Sequence, residues 1–152
     1  MHSPVSTRRG SLADLDALAP LFDAYRVFYG RNPDLGLARA FLSDRLQRDE
    51  SVVFLAEEAG VAAGFSQLFP SFSSLSGRRI HILNDLFVAE DARRRGVATT
   101  LLNRAAAFAR DDGAVRLTLA TGVDNIAAQA VYAAAGWQRD DAFYTYTLTL
   151  AD

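Results

Sequence analysis

From Asp14 to Tyr29, apolar side chains recur every three or four positions, with Leu15, Leu18, Leu21, Phe22, Tyr25 and Phe28 along one stripe. That spacing predicts an amphipathic helix, kinked or started late by Pro20. After the break at Asn32-Pro33-Asp34, the positions of Leu35, Ala38, Phe41, Leu42 and Leu46 predict a second helix over 35–47. The period then drops to two. Val52–Glu57 and Val61–Phe69 read as strands joined at Glu58-Ala59-Gly60, and Val5–Arg9 as a short first strand. Pro70–Gly77, with four serines, reads as a loop. Beyond it the pattern alternates: strand 80–88, helix 97–110, strand 115–121, helix 125–135 and strand 143–150. Strands alternating with helices in this half point to an α/β sheet covered on both faces.

With 152 residues, no repeat and no low-complexity linker, the chain is expected to form a single domain over 1–152. A net charge of −2 gives no broad basic face, which argues against a nucleic-acid binder. There is no cysteine, so disulfides, thiolate metal sites and an acyl-cysteine intermediate are excluded. His2 and His81 stand far apart, and no metal site is expected. The first ten residues lack the apolar core of a secretion signal and no run is long enough to span a membrane. A cytoplasmic protein without membrane partners is the expectation.

Against this slightly acidic background, Arg93-Arg94-Arg95-Gly96 stands between an apolar strand and an amphipathic helix carrying Val97, Leu101, Leu102, Ala105, Phe108 and Ala109 on one face. A solvated basic turn is one reading. The other is a phosphate site: the first helical turn has unpaired N–H groups and partial positive charge, Gly96 allows close approach, and Ala98 is small. Neither GK[ST] nor GxGxxG is present, which excludes the two common phosphate loops. RRRGVA, residues 93–98, resembles the [Q/R]xxGx[G/A] turn of the GNAT acetyltransferase superfamily. About thirty residues on, NIAAQAVYAAAGW (125–137) resembles that superfamily's NxxAxxxYxxxG[FW] stretch, with Asn125, Ala128, Tyr132, Gly136 and Trp137 in the matching places.

The resemblance implies a mixed, mostly antiparallel central sheet flanked by about four helices and splayed between its central strands for coenzyme A. It places the acetyl-coenzyme A pyrophosphate on Arg93, Arg94, Arg95, Gly96, Val97, Ala98 and Thr99. The thioester carbonyl would meet a backbone N–H near Phe87 or Val88, and Asn125, Ala128 and Tyr132 would complete the cofactor site. Tyr132 would protonate the departing thiolate. From the residues alone, Asn125 is equally a helix N-cap, and Tyr132 a core aromatic.

Asn84 and Asp85 interrupt the apolar run IHILNDLFV, and polar groups in such a strand need partners or a function. LNDLFV resembles the L-E-D-x-F-V stretch of diamine and polyamine acetyltransferases, with Asn84 where that subgroup has a glutamate implicated as a base through water. An amide cannot act as that base. Asp85 remains as an ammonium anchor, a water-linked base or a structural carboxylate, and His81 as a packed or surface residue with a suitable intrinsic pKa. Tyr25, Tyr29, Phe72, Phe143, Tyr144 and Tyr146 are candidates for an aromatic wall around an amine. The expected activity is acetyl transfer from acetyl-coenzyme A to a primary amine (small amine, polyamine or amino acid) by direct attack in a ternary complex. The alternatives are protein lysine or N-terminal acetylation and a non-catalytic acyl-coenzyme A sensor. A homodimer, using the final YTYTLTL segment, is implied by the resemblance.

Overall fold

The computed structural model describes residues 4–151, so His2 lies outside the described residues. They fall into two compact units, one running through Ala120 and the other from Thr121 onward.

In the first unit, strands β1 (Val5–Arg9), β2 (Val52–Glu58), β3 (Val61–Ser73), β4 (Arg78–Val88) and β5 (Leu117–Thr118) form one sheet in sequence order. The first three pairings are antiparallel and the β4–β5 pairing is parallel. The sheet is therefore mixed and mostly antiparallel, as expected. Helices α1 (Leu15–Phe28) and α2 (Leu35–Gln47) cover one face, where Leu18, Phe22, Ala38 and Leu42 pack on Val53, Leu55 and Phe65. Side chains alternate across a strand, so Phe54 points the other way and meets Phe108 of α3 (Val97–Asp111). Burial on both faces explains why β2 is apolar without alternation.

Pro20 sits inside α1, on its exposed side, and removes one ladder bond without ending the helix. The segment 70–77 departs from the loop expectation. β3 continues to Ser73 and β4 starts at Arg78, so only 74–77 turn, with Phe72 opposite Arg79 and Ser73 opposite Arg78. Pro70 is tolerated because β2 pairing stops at Leu68, leaving that edge of β3 with no ladder to lose.

β5 is also shorter than 115–121. Only His81↔Leu117 and Ile82↔Thr118 pair, after which β4 runs on to Val88, paired with β3 on one edge and with no strand of this unit on the other. The divergence leaves roughly 20 Å of open strand edge at about 3.3 Å per residue. A second irregularity lies on the other edge of β4. Gln67 opposes Asp85 and Leu68 opposes Leu83, so Asn84 is an extra, bulged residue.

Gly64 brings β3, β4 and α3 together. A Cβ there would stand 2.6 Å from the Phe87 carbonyl oxygen and 3.2 Å from Val97 Cγ1. Gly64→Ala is expected to cost about 1–3 kcal/mol by overpacking, read as a lower urea midpoint. An unchanged midpoint would show that the strand and helix separate freely.

In the second unit, α4 (Ile126–Ala134) starts at Asn125, whose side chain accepts from Ala128 N at 3.2 Å. It closes through Gly136 at φ 93°, with Trp137 N bonding Tyr132 O at 3.0 Å. Residues 143–150 form no strand within this unit, contrary to their alternating pattern. A strand exists through a ladder, and this unit holds no second strand to supply one.

Candidate active site

The bulge at Asn84 sets which way β4 side chains point. Asp85 and Phe87 lie opposite Gln67 and Phe65, on the face covered by α1 and α2. Asp85 is 2% exposed. Its Oδ1 accepts from Asn84 Nδ2 at 2.7 Å and its Oδ2 from Gln67 Nε2 at 2.5 Å. The Tyr25 hydroxyl donates to the Asn84 carbonyl at 3.2 Å. Burial pushes the Asp85 carboxyl above its usual range, while hydrogen bonds from Asn84, Gln67 and Tyr25 oppose that rise without cancelling it. Asn84 thus orients the carboxylate and offers no basic group of its own.

A cleft of about 250 Å³ opens in front of this cluster, between Phe22, Tyr25, Tyr29 and Phe41 on the helices and Phe69, Asn84 and Asp85 on the strands. The Tyr25 ring lies 5.0 Å from that of Tyr29, tilted by 59°, and meets Phe65 and Phe87 edge-on. Tyr25, Tyr29 and Asp85 therefore come together as the sequence suggested. Phe72 does not join them: it is 69% exposed near the hairpin end, with the Arg79 guanidinium over its ring. Phe143, Tyr144 and Tyr146 belong to the second unit and are exposed. A larger concavity of about 400 Å³, beside Arg9, Leu46 and Ser51, has the exposed Asp49 as its carboxylate.

His81 is buried and packed, not poised in the cleft. It faces Phe108 of α3, and its Nε2 lies 2.7 Å from Oδ2 of Asp112, the residue that ends that helix.

At the other end of β4, a 3-10 turn (Glu90–Ala92) leads into the arginine run. Gly96 caps α3 with φ 80°, and Arg94 also has positive φ, 66°. No side chain caps the helix, so its first N–H groups are open to an anion. A Cβ on Gly96 would meet nothing within 4 Å. The glycine is needed here for its backbone conformation and not for close packing. Val97 is buried, while Ala98 and Thr99 form the rest of the open turn.

The three arginine side chains differ in role. Arg93 Nε donates to the Val88 carbonyl at 3.1 Å, and its guanidinium sits over Phe28 and Phe87, tying this turn to the strand end. Arg95 pairs with Glu58 at 3.0 Å. Arg94 is exposed. Within the second unit, Tyr132 is half-buried and its ring lies 6.2 Å from Trp137.

Sequence reasoning passed over Gln67, Arg26 and Gly64. A glutamine inside VAAGFSQLF was a legible signal, being an amide in an otherwise buried strand. The other two become visible only when neighbouring elements are in place.

An uncapped glycine turn after a splayed strand is the arrangement expected for a pyrophosphate, and residues 18–137 match the acetyltransferase (GNAT) family. The chain belongs to the GNAT family. An uncharacterized GNAT-type relative, the N-acetyltransferase YhfO of Bacillus subtilis, is 44% identical over 146 residues, 96% of this chain and 98% of its own. A crystal structure of a probable acetyltransferase is 48% identical, with a TM-score of 0.91 over 97% of this chain and 99% of that one. The aminoglycoside N-acetyltransferase AAC(6')-Iy in complex with CoA is 23% identical, with a TM-score of 0.78 over 97% of both chains, and shares the GNAT fold. The protein is an acetyl-coenzyme A-dependent N-acetyltransferase. Among the described residues no group of His, Asp and Glu could hold a metal, and no helix is long and apolar enough to cross a membrane.

Proposed function

We propose that this GNAT enzyme acetylates the primary amine of a small molecule by direct attack within a ternary complex. The observation that carries this reading is the buried Asp85 carboxylate at the wall of a 250 Å³ aromatic cleft. That volume is below the ~300–1,000 Å³ common for drug-sized ligands, and suits a small amine better than a peptide segment. An alkylammonium with a pKa near ~10.4 must lose a proton before it attacks. Asp85, its pKa raised above the ordinary carboxylate range by burial, takes that proton directly or through a water, while Asn84 and Gln67 hold the carboxylate in place. The acetyl carbonyl lies at the Phe87–Val88 end of β4, and the pyrophosphate on the 93–99 turn, with the exposed Arg94 as its side-chain cation and the helix dipole as its backbone one. Asn125 and Ala128 border the cofactor, and Tyr132 protonates the leaving thiolate.

The two compact units act together as one acetyltransferase domain, a reading supported by a family match that runs across their boundary. The enzyme works in the cytoplasm as a homodimer, and the alternating Tyr144, Tyr146, Leu148 and Leu150 are its candidate dimer strip.

Free-thiol release from acetyl-coenzyme A with a panel of primary amines tests the reading. Turnover by small amines with intersecting double-reciprocal lines supports it. Thiol release only with peptide lysines or N-termini would move the activity to proteins, and binding without any release would leave a sensor. Tyr132→Phe keeps the ring and deletes the proton, so kcat is expected to fall by about 10–100-fold with little change in acceptor KM. Equal kcat across the pH range would assign Tyr132 to packing.

A further inference from the structure

Two cations line the same cleft as the carboxylate: Arg26, in the last turn of α1, and Arg31. Their convergence is built into the helix end. Gly30, at φ 88°, turns the chain back, and Arg31 N bonds the Arg26 carbonyl at 2.9 Å. Arg26 Nη1 is buried and has no hydrogen-bond partner among the described residues. A buried guanidinium N–H without an acceptor is costly to leave so, and Arg26 lines the same cleft as Asp85.

We propose that the acceptor is a small amino acid, its amine facing Asp85 and its carboxylate held by Arg26 and Arg31. This rests on the transfer reading above and names its substrate class. Arg26, Arg31 and Asp85 are the charged residues lining the cleft. A zwitterion meets each charge with its opposite. A diamine sets its second ammonium against two guanidinium groups, which separates this cleft from the polyamine subgroup that LNDLFV resembles. The planar fork of arginine suits a carboxylate in particular, since it can donate two parallel N–H bonds to the two oxygens. The aromatic rings that line the same cleft take the methylene chain and exclude water.

The test uses three acceptors with the same four-carbon chain: 4-aminobutyrate, butylamine and 1,4-diaminobutane, repeated with the three- and five-carbon homologues. In thiol-release assays, kcat/KM for the amino acid is expected to exceed that of both matched amines by at least about tenfold at one chain length. Arg26→Gln should bring this ratio close to one, through KM for the amino acid. Arg31→Gln, on an exposed side chain, should lower the ratio in a protein whose melting temperature is unaltered. Equal or better turnover of the amines or diamines at every length overturns the proposal while leaving acetyl transfer intact. Calorimetric titration of the amino acids into coenzyme A-loaded protein separates the remaining cases. If no amine is turned over but an amino acid binds and Arg26→Gln abolishes that binding, the transfer reading fails and the carboxylate site stands. Absence of both turnover and binding overturns it.

Discussion

Gly96→Asp is expected to weaken acetyl-coenzyme A binding by about 100-fold or more, roughly 2.7 kcal/mol, in a protein that still folds. The two halves of that expectation have separate causes. A Cβ at Gly96 meets nothing within 4 Å, and aspartate is among the residues that enter the left-handed region at a cost of ~1–2 kcal/mol. The fold therefore survives. The new carboxylate, however, stands at the uncapped start of α3, where it satisfies the open N–H groups and repels a pyrophosphate. Gly96→Ala separates charge from backbone: it carries at least as much φ strain without the carboxylate and is expected to lose less affinity. Isothermal titration measures both. Unchanged affinity in Gly96→Asp would remove the 93–99 turn from the cofactor site.

Asp85→Asn is expected to lower kcat by about 10²–10⁴-fold while leaving acetyl-coenzyme A affinity intact. The pH dependence gives the stronger signature. With its pKa raised by burial, Asp85 is protonated at the acid end of the profile, and kcat should climb as pH rises through that pKa. The variant should lose this acidic limb. Stability should move in the opposite sense. A carboxyl whose folded pKa lies above its unfolded one contributes most below the ordinary carboxylate range and loses that contribution as pH rises through the folded value. The wild-type melting temperature should fall, relative to Asp85→Asn, over the interval in which activity appears. If instead KM rises for amines with kcat unchanged, Asp85 anchors the ammonium and another group takes the proton. A variant that melts lower but keeps full kinetics assigns Asp85 a structural role.

The helices were legible because each carries its own periodicity: the stripe from Leu15 to Phe28 and the face from Val97 to Ala109 both match their burial. The strands were legible where alternation or an apolar run persisted, as at 52–57. What escaped was whatever depends on a partner. Whether 70–73 is loop or strand turns on pairing with β4, and the length of β5 turns on how long it stays beside that strand. Residues 143–150 have a strand's pattern, but a pattern cannot supply a ladder. The same limit applied to the site. Asp85 stood out as a carboxylate in an apolar run, and Tyr25 and Tyr29 as aromatics. Arg26 looked like any charged residue on a helix until Gly30 brought Arg31 beside it and the cleft formed around both.

The bulge at Asn84 reverses the facing of β4 partway along its length. His81 and Leu83 point toward α3, whereas Asp85 and Phe87 point toward α1 and α2. Substituting Asn84 alters one hydrogen bond to Asp85. Deleting it would close the bulge and leave Leu83 and Asp85 as consecutive partners of Leu68 and Gln67, so plain alternation would keep both facings while the bend and the Asn84 hydrogen bonds to Asp85 and from Tyr25 are lost. A residue inserted into β4, by contrast, would either turn the carboxylate out of the cleft or turn the apolar half of the strand away from its helix. In this stretch the facing of β4 tolerates loss of the extra residue but not gain of another, so lineages diverging from this chain can shorten the strand at the bulge more readily than they can lengthen it.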